Sequence, residues 1–219
     1  MDLYIAPMSC SLAAHIACLE AGITPAIHQV DRKTKTFDNG RDYLAVAPKG
    51  NVPMVSLPDG GALTESAAVL QYIADLAPDK QLAPPAGTVE RYRVMEWLNF
   101  VTSELHKKHV WMVFSSKSTP ELKVWSRANA PATLAFIERA LTGRDYLVGD
   151  RFTVADAYMF WALLVAPHGG ISIAEYPALT AYVARIQQRP SVQAALAHDY
   201  PLYTREAAAG NAPKSIATT

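Results

Sequence analysis

The chain has 219 residues, of which half are hydrophobic and 18% are charged, a composition typical of globular proteins. Twenty basic residues balance twenty acidic ones, so the sequence predicts neither nucleic acid nor a membrane surface as a general partner. No apolar run is long enough to span a bilayer, and the first residues lack the basic start of a secretory signal. The length allows one large domain or two small ones.

The two cysteines, Cys10 and Cys18, indicate a reducing compartment. On one helix they would lie roughly 12 Å apart, which is too far for a disulfide. Free thiols of this kind are typical of the cytoplasm, which is the predicted location.

Residues 1–77 alternate between predicted strands and helices, which indicates a small α/β layer with one sheet. Short apolar or alternating runs predict strands at residues 3–5, 26–30, 50–57 and 62–64, the last two joined by a turn at 59–61. Helices are predicted from residue 9 or 10 to residue 22, at 41–46 and at 66–76. Residues 31–40 are predicted to be a loop with Lys33 and Lys35 exposed.

Residues 78–87 are rich in proline and are predicted to link this domain to a second one. The second domain, at 88–203, reads as helical throughout. Its predicted helices lie at 88–114, 121–141, 153–165, 177–188 and 191–198. Residues 204–219 are small and polar without a packing face, so a mobile tail is expected there.

Cys10 stands where the first predicted strand gives way to a helix. Free backbone N–H groups and the positive end of the helix dipole both favour a thiolate at such a position. The alternative is that Cys10 is a small residue filling a corner, as many free cysteines do.

Several short motifs occur together in a fixed order and spacing. They are Tyr4-x-x-Pro7-x-Ser9-Cys10-Ser11, Asn51-Val52-Pro53, Thr64-Glu65-Ser66, residues 96–100, His106 and residues 152–158. Together they resemble the cytosolic glutathione transferases, and the start of the chain resembles the bacterial beta class, over residues 1–203. The resemblance implies a thioredoxin-like α/β domain followed by an all-α domain. It also implies a homodimer, with glutathione as cosubstrate and no other cofactor.

The resemblance further implies a set of glutathione-binding residues. These are Lys35, Val52, Pro53, Glu65, Ser66, Asn99, Glu104 and Lys107. In the family, the residue before a cis-proline pairs its backbone with the cysteinyl part of the tripeptide, and Val52 matches it. Ser66 at a helix start would hold a carboxylate, Glu65 the ammonium, and Lys35 the other carboxylate, with Lys33 as a possible substitute.

Each of these assignments has a plainer alternative. A trans-proline starting an edge strand is commoner in general than a cis-proline. Glu65 and Ser66 could be a surface acid and an ordinary helix cap, and exposed lysines are usually only solvated.

Asn99 and His106 are seven residues apart on one predicted helix, and therefore on one face. The resemblance turns that face toward Cys10, where His106 would bind a sulfur or polarise the substrate and Lys107 would favour a thiolate. Glu104 is expected to reach a partner subunit's site. The alternative for His106 is a structural histidine.

Trp111, Met112 and Phe114 are predicted to line an apolar pocket for the electrophile, or else to pack the helical bundle. His106 and His109 invite a metal interpretation, but no third ligand is placed to complete it, and no metal site is predicted. The other four histidines are not part of any recognisable group of functional residues, and Cys18 is assigned to the core.

The predicted function is transfer of glutathione to small hydrophobic electrophiles, with thiol transfer through Cys10 acting on disulfides. Position 13 is Ala13, so a redox cycle would be completed by glutathione and not by an internal disulfide. The alternative is a non-catalytic ligand-binding or scaffold protein of the same fold.

Overall fold

The computed structural model describes residues 1–211 and divides them into two compact units. The first unit combines residues 1–82 with residues 190–211, and the second comprises residues 83–189. The boundary near residue 82 falls inside the predicted proline-rich linker. Within residues 1–211, no helix has both the length and the apolar character needed to cross a bilayer.

The first unit contains a six-stranded mixed sheet in the order β4-β3-β2-β1-β5-β6. Its strands are β1 (Asp2–Ile5), β2 (Ala26–Asp31), β3 (Thr36–Phe37), β4 (Arg41–Asp42), β5 (Met54–Ser56) and β6 (Ala62–Thr64). Strands β1 and β2 are parallel, and every other neighbouring pair is antiparallel. The four predicted strands and the hairpin are therefore confirmed, although β5 covers only residues 54–56 of the predicted 50–57.

Helices α1 (Ser11–Glu20) and α2 (Ser66–Leu76) pack beside each other in this unit. Helix α1 is buried along most of its length because small and aliphatic side chains form its first two turns. It ends in a Schellman motif: Gly22 has a φ of 72°, its N–H donates to Leu19 O, and the Ile23 N–H donates to Cys18 O. A short 3₁₀ turn, Pro78–Lys80, follows α2.

The region of residues 31–46 differs from its predicted form. The predicted loop contains β3, and the predicted helix at 41–46 is replaced by β4 and turns. Phe37 is buried against Tyr4 and Tyr43, so packing of aromatic rings fixes a segment whose local sequence is polar. Lys35 is half-buried, contrary to the prediction, whereas Lys33 is exposed as expected.

The second unit is helical, as predicted. It contains α3 (Val89–Phe100), a π-helical segment (Val101–Val110), α4 (Trp111–Phe114), α5 (Pro120–Leu141), α6 (Val154–Val165), a 3₁₀ turn (Ala166–Gly169) and α7 (Pro177–Gln187). Helix α6 begins with the predicted capping box, in which Thr153 and Asp156 satisfy each other's backbone N–H groups. This cap fixes where the most deeply buried helix of the unit starts.

The last helix, α8 (Pro190–Ala208), belongs to the first unit and packs against α1. The predicted division, with residues 88–203 in the helical domain and a tail from 204, therefore differs from the structure. Tyr203 and Ala207 are buried, which gives the end of α8 the packing face that its small, polar composition did not predict. The rest of the predicted tail, residues 212–219, lies outside the described residues.

Candidate functional site

The strand register of the first unit gathers most of its candidate residues at one edge of the sheet. Strand β1 ends at Ile5, just before the segment that carries Cys10, and its partner β5 begins there, since Tyr4 lies opposite Met54. Strand β6 ends at the same edge, with Thr64 opposite Met54. Val52 and Pro53 therefore lie near Glu65 and Ser66.

Lys35 reaches the same edge because it precedes β3, whose Thr36 pairs with the last residue of β2. The ends of parallel β1 and β2 point the same way, so the topology brings Cys10, Lys35, Val52 and Glu65 together. Open α/β sheets bind ligands at this carboxyl edge.

Three successive carbonyl groups in the segment before β5 each accept a hydrogen bond from a side chain. Lys35 Nζ donates to Gly50 O (2.7 Å), the Tyr43 hydroxyl to Asn51 O (2.7 Å) and the Cys10 thiol to Val52 O (3.2 Å). The Val52–Pro53 peptide bond is cis, as the resemblance implied. The segment is thus held from three separate elements.

Cys10 is the N-cap residue of α1, as predicted, and it is 9% exposed. The hydrogen bond to Val52 O is one that only the protonated thiol can make, whereas the helix N-terminus favours the thiolate. Cys18, two turns later, is fully buried, and its burial raises the pKa of its thiol to about 12. The prediction that Cys18 is a core residue is confirmed.

The loop that carries Cys10 is fixed by its own hydroxyl groups. The Ser11 hydroxyl donates to Ala6 O (3.1 Å) and accepts from the Ala6 N–H (3.1 Å), and it contacts the Ser9 hydroxyl at 2.9 Å. Ser11 is fully buried, so its hydroxyl serves the loop backbone and is not available to a ligand.

Glu65 and Ser66 form the start of α2. Glu65 is the N-cap, with a φ of 72°, and its exposed carboxylate pairs with Lys49 Nζ at 3.0 Å. An exposed ion pair of this kind contributes little to stability, so an ammonium group of a ligand can replace Lys49 at small cost. Ser66 is buried, and the first-turn N–H groups of α2 point out of the helix end.

His106, in the second unit, is buried and neutral. Its Nδ1 lies 2.7 Å from the Tyr158 hydroxyl, and its ring packs edge-on against Trp161. Burial, aided by the charge of Lys107, lowers the pKa of His106 to about 3. The side chain therefore acts as a neutral hydrogen-bonding group and carries no charge near pH 7.

The prediction that Asn99 and His106 share a helix face is wrong. The chain changes to π-helical winding after Phe100, and the Trp111 N–H donates to His106 O five residues earlier. This wider winding changes the direction of each following side chain, so Asn99 is exposed while His106 is buried. The α-helical spacing rule used on the sequence does not apply across this segment.

The other candidates of the second unit lie at or near its surface. Lys107 is exposed and places Nζ 5.7 Å from the centre of the exposed Trp111 ring, in a cation–π contact. Glu104 pairs with Lys108 at 2.9 Å, and that hydrogen bond lowers the pKa of Glu104. Met112 and Phe114 are half-buried.

One cluster in the first unit was not predicted: His15 and His198 both contact Asp199. Nor was the position of His28 between Asp2 and Asp38 predicted. The expectation that His15, His28 and His198 belong to no group of functional residues is therefore wrong. His15 and Asp199 are 184 residues apart, so no local spacing could have revealed the contact.

Comparisons with known proteins agree with the fold. The family described as glutathione S-transferase, N-terminal domain, matches residues 7–76, and the glutathione S-transferase C-terminal domain matches residues 103–199. The glutathione S-transferase GstA of Escherichia coli O157:H7 is 40% identical over 196 residues, which cover 90% of this chain and 97% of that protein.

Two solved structures are similar over nearly their whole length. The bacterial beta class glutathione S-transferase of Sphingomonas chungbukensis has a TM-score of 0.87 and 42% identity, covering 91% of this chain and 98% of that one. A sphingomonad glutathione S-transferase complexed with glutathione has a TM-score of 0.86 and 41% identity, again covering 91% and 98%. The chain belongs to the glutathione S-transferase family, and the resemblance to its bacterial beta class is confirmed.

Proposed function

We propose that this transferase conjugates glutathione to small hydrophobic electrophiles and also transfers thiols through Cys10. The observation that carries the proposal is the Cys10 thiol at the start of α1, hydrogen-bonded to Val52 O. The sphingomonad relative, 41% identical, is complexed with glutathione. A protein that used only the shape of this fold would have no need for these groups together, which argues against the scaffold alternative.

The sheet edge supplies groups that match glutathione. We propose that the backbone of Val52, before Pro53, pairs with the cysteinyl part of the tripeptide. The first turn of α2 at Ser66 offers N–H groups to one carboxylate, and Glu65 offers its own carboxylate to the ammonium. The charge of Lys35, which also binds Gly50 O, attracts the second carboxylate.

Two reactions fit this arrangement. In conjugation, the thiol of bound glutathione loses its proton to water, and its sulfur attacks an electrophilic carbon, whose leaving group departs with the bonding electrons. In thiol transfer, the Cys10 thiolate attacks the glutathione sulfur of a disulfide between glutathione and another thiol, forms a mixed disulfide with glutathione and releases the other thiolate. A second glutathione thiolate then attacks the mixed disulfide, which regenerates Cys10 and releases oxidised glutathione.

For the second unit we propose narrower roles. Asn99, Glu104 and Lys107 are proposed to contact glutathione, and Trp111, Met112 and Phe114 to contact the electrophile; the exposure of Lys107 and Trp111 is compatible with both roles. For His106 we propose catalysis as a neutral hydrogen-bonding group, since its charge is suppressed by burial.

The proposed assembly is a homodimer in the cytoplasm. Val89 and Tyr92, at the start of α3, are 68% and 59% exposed, so large apolar side chains are available for a partner surface. Neither Cys10 nor Cys18 is in a disulfide, which agrees with a reducing compartment. Light scattering of the wild type and of Tyr92→Glu tests the dimer, which the substitution should weaken.

The first test is the intact mass of the protein after incubation with oxidised glutathione. Wild type and Cys18→Ser should each gain one glutathione, whereas Cys10→Ser should gain none. Cys10→Ala should lose disulfide reductase activity while retaining part of its aryl conjugation. An adduct on Cys10→Ser, or failure of the wild type to bind glutathione at millimolar concentration, would refute the proposal.

A further inference from the structure

Three side chains of the first unit, from two helices that are distant in sequence, converge on one point. His15 comes from α1, and His198 and Asp199 come from α8. Asp199 Oδ1 lies 3.4 Å from His15 Nδ1 and 3.1 Å from His198 Nδ1. The potential ligand atoms of the three residues all lie within 4.8 Å of one another.

The two nitrogen–oxygen distances are close to those of a tetrahedral metal site. Zinc binds imidazole nitrogen and carboxylate oxygen at about 2.0–2.2 Å, which places neighbouring ligand atoms about 3.3 Å apart in a tetrahedron. The two nitrogen–oxygen distances of the cluster, 3.4 and 3.1 Å, lie on either side of that value. Binding of an ion would bring the two imidazole nitrogens, which lie within 4.8 Å of each other, to the tetrahedral spacing.

We propose that His15, His198 and Asp199 form a binding site for a divalent transition-metal ion of the zinc type, with three protein ligands and a fourth position for water. Imidazole and carboxylate are ligands that zinc and its neighbours in the periodic table accept. The site is distinct from the glutathione chemistry proposed above.

The surroundings of the cluster support this assignment. Asp199 Oδ2 accepts a hydrogen bond from the Met8 N–H (3.2 Å), which leaves Oδ1 directed toward both imidazoles. Such outer contacts orient metal ligands and raise affinity. Asp199 is fully buried and His15 nearly so, whereas His198 is 39% exposed at its side chain and provides the path by which an ion enters.

His28 provides a matched control in the same unit. It also lies between two carboxylates, but it uses opposite ring nitrogens: Nε2 contacts Asp2 Oδ1 at 3.0 Å and Nδ1 contacts Asp38. The two carboxylates therefore lie on opposite sides of the ring and cannot share one ion with it. A histidine with two acidic neighbours should not by itself bind the metal.

The test is titration of the metal-free, full-length protein with Co²⁺ and Zn²⁺ in the absence of glutathione. One ion per chain should bind, with the visible absorption of tetrahedral Co²⁺ but without thiolate-to-metal charge transfer. His198→Ala should weaken binding well over about tenfold, the least that loss of an outer contact costs. His28→Ala should bind the ion as the wild type does. Zn²⁺ should raise the Tm of both the wild type and His28→Ala.

Three results would overturn the site. They are no saturable binding of either ion, unchanged affinity in His198→Ala, and a thiolate charge-transfer band that assigns the ion to a cysteine. Because His15 is buried and its replacement could prevent folding, the partly exposed His198 carries the test. His198→Asn, checked for folding by circular dichroism, repeats the test with a polar side chain of smaller size.

Discussion

Asp156 and Asp199 are both completely buried, yet their surroundings differ in one decisive respect. Asp156, in the second unit, accepts hydrogen bonds from Leu147, Thr153 and Tyr182, which are all neutral donors, and burial raises its pKa. Asp199, in the first unit, is also penalised by burial, but hydrogen bonds from His15 and His198 lower its pKa. The charge state of a buried carboxyl group is therefore decided by whether its neighbours can carry a positive charge.

The largest effect is expected from Asp156→Ala. The substitution leaves the N–H groups of Leu147 and Thr153 without their acceptor, and it destroys the capping box of α6. The Tyr182 hydroxyl loses its 2.9 Å bond to the carboxylate and keeps only the 3.3 Å contact with the backbone oxygen of residue 156. Urea unfolding should show a loss of about 3–5 kcal/mol. Asp150→Ala, at a side chain that is 90% exposed, is the control and should change the free energy of unfolding by less than about 0.5 kcal/mol.

Replacing Asp156 or Asp199 by asparagine should show how their two environments differ in the stability that each supports. In either orientation, the NH₂ group of an asparagine at position 156 faces a backbone N–H group, which can only donate. Asp156→Asn should therefore lower the free energy of unfolding by about 3 kcal/mol. At position 199 the imidazoles of His15 and His198 can change tautomer and accept from the amide, so Asp199→Asn should cost about 1 kcal/mol. Equal losses for the two metal-free variants at pH 8 would contradict this comparison.

His106 extends the comparison to a buried base without an acidic partner. Its pKa is about 3 in the folded protein and about 6.5 when unfolded, so the unfolded state binds the extra proton between these values. Stability should therefore fall as the pH is lowered from about 6.5 to 3, by about 1.4 kcal/mol per pH unit from this group. The free energy of unfolding of His106→Gln, measured from pH 7 to 4, should change with pH less steeply than that of the wild type, by the equivalent of one proton. Equal slopes in the two proteins would contradict the assignment.

The smallest effect on stability belongs to an exposed carboxylate, Glu65. Because its pair with Lys49 is open to solvent, Glu65→Gln should change the free energy of unfolding by less than about 0.5 kcal/mol. The same substitution should raise KM for glutathione several-fold if Glu65 meets the ammonium group. Lys49→Gln is the control: an unchanged or lower KM is expected there, and an equal rise in both variants would argue against the proposed role.

The sequence predicted those features that depend on neighbouring residues. The bounds of α2, the turn between β5 and β6 and the capping box of α6 each follow from a local pattern. Strands β3 and β4 were missed because two residues each are too few to show a periodicity, and their position depends on Phe37 packing against Tyr43.

The candidate site was predicted unevenly for the same reason. Family motifs selected Cys10, Val52 and Glu65, and the strand order places these three residues at one sheet edge. The π-helical segment before Trp111 could not be predicted, since a standard spacing rule assumes α-helical winding. The contact between His15 and Asp199 joins distant parts of the chain, which is also why no metal site was predicted from sequence.

The discontinuous first unit has a consequence for synthesis of the protein on the ribosome. Its last helix, α8, supplies the side chains that pack against α1, and α8 follows the whole of the second unit in the chain. Domains generally fold as their residues emerge, N-terminal ones first. Here the helical unit, residues 83–189, can be completed first, and α1 stays without its covering helix until residues 190–208 have also been synthesised.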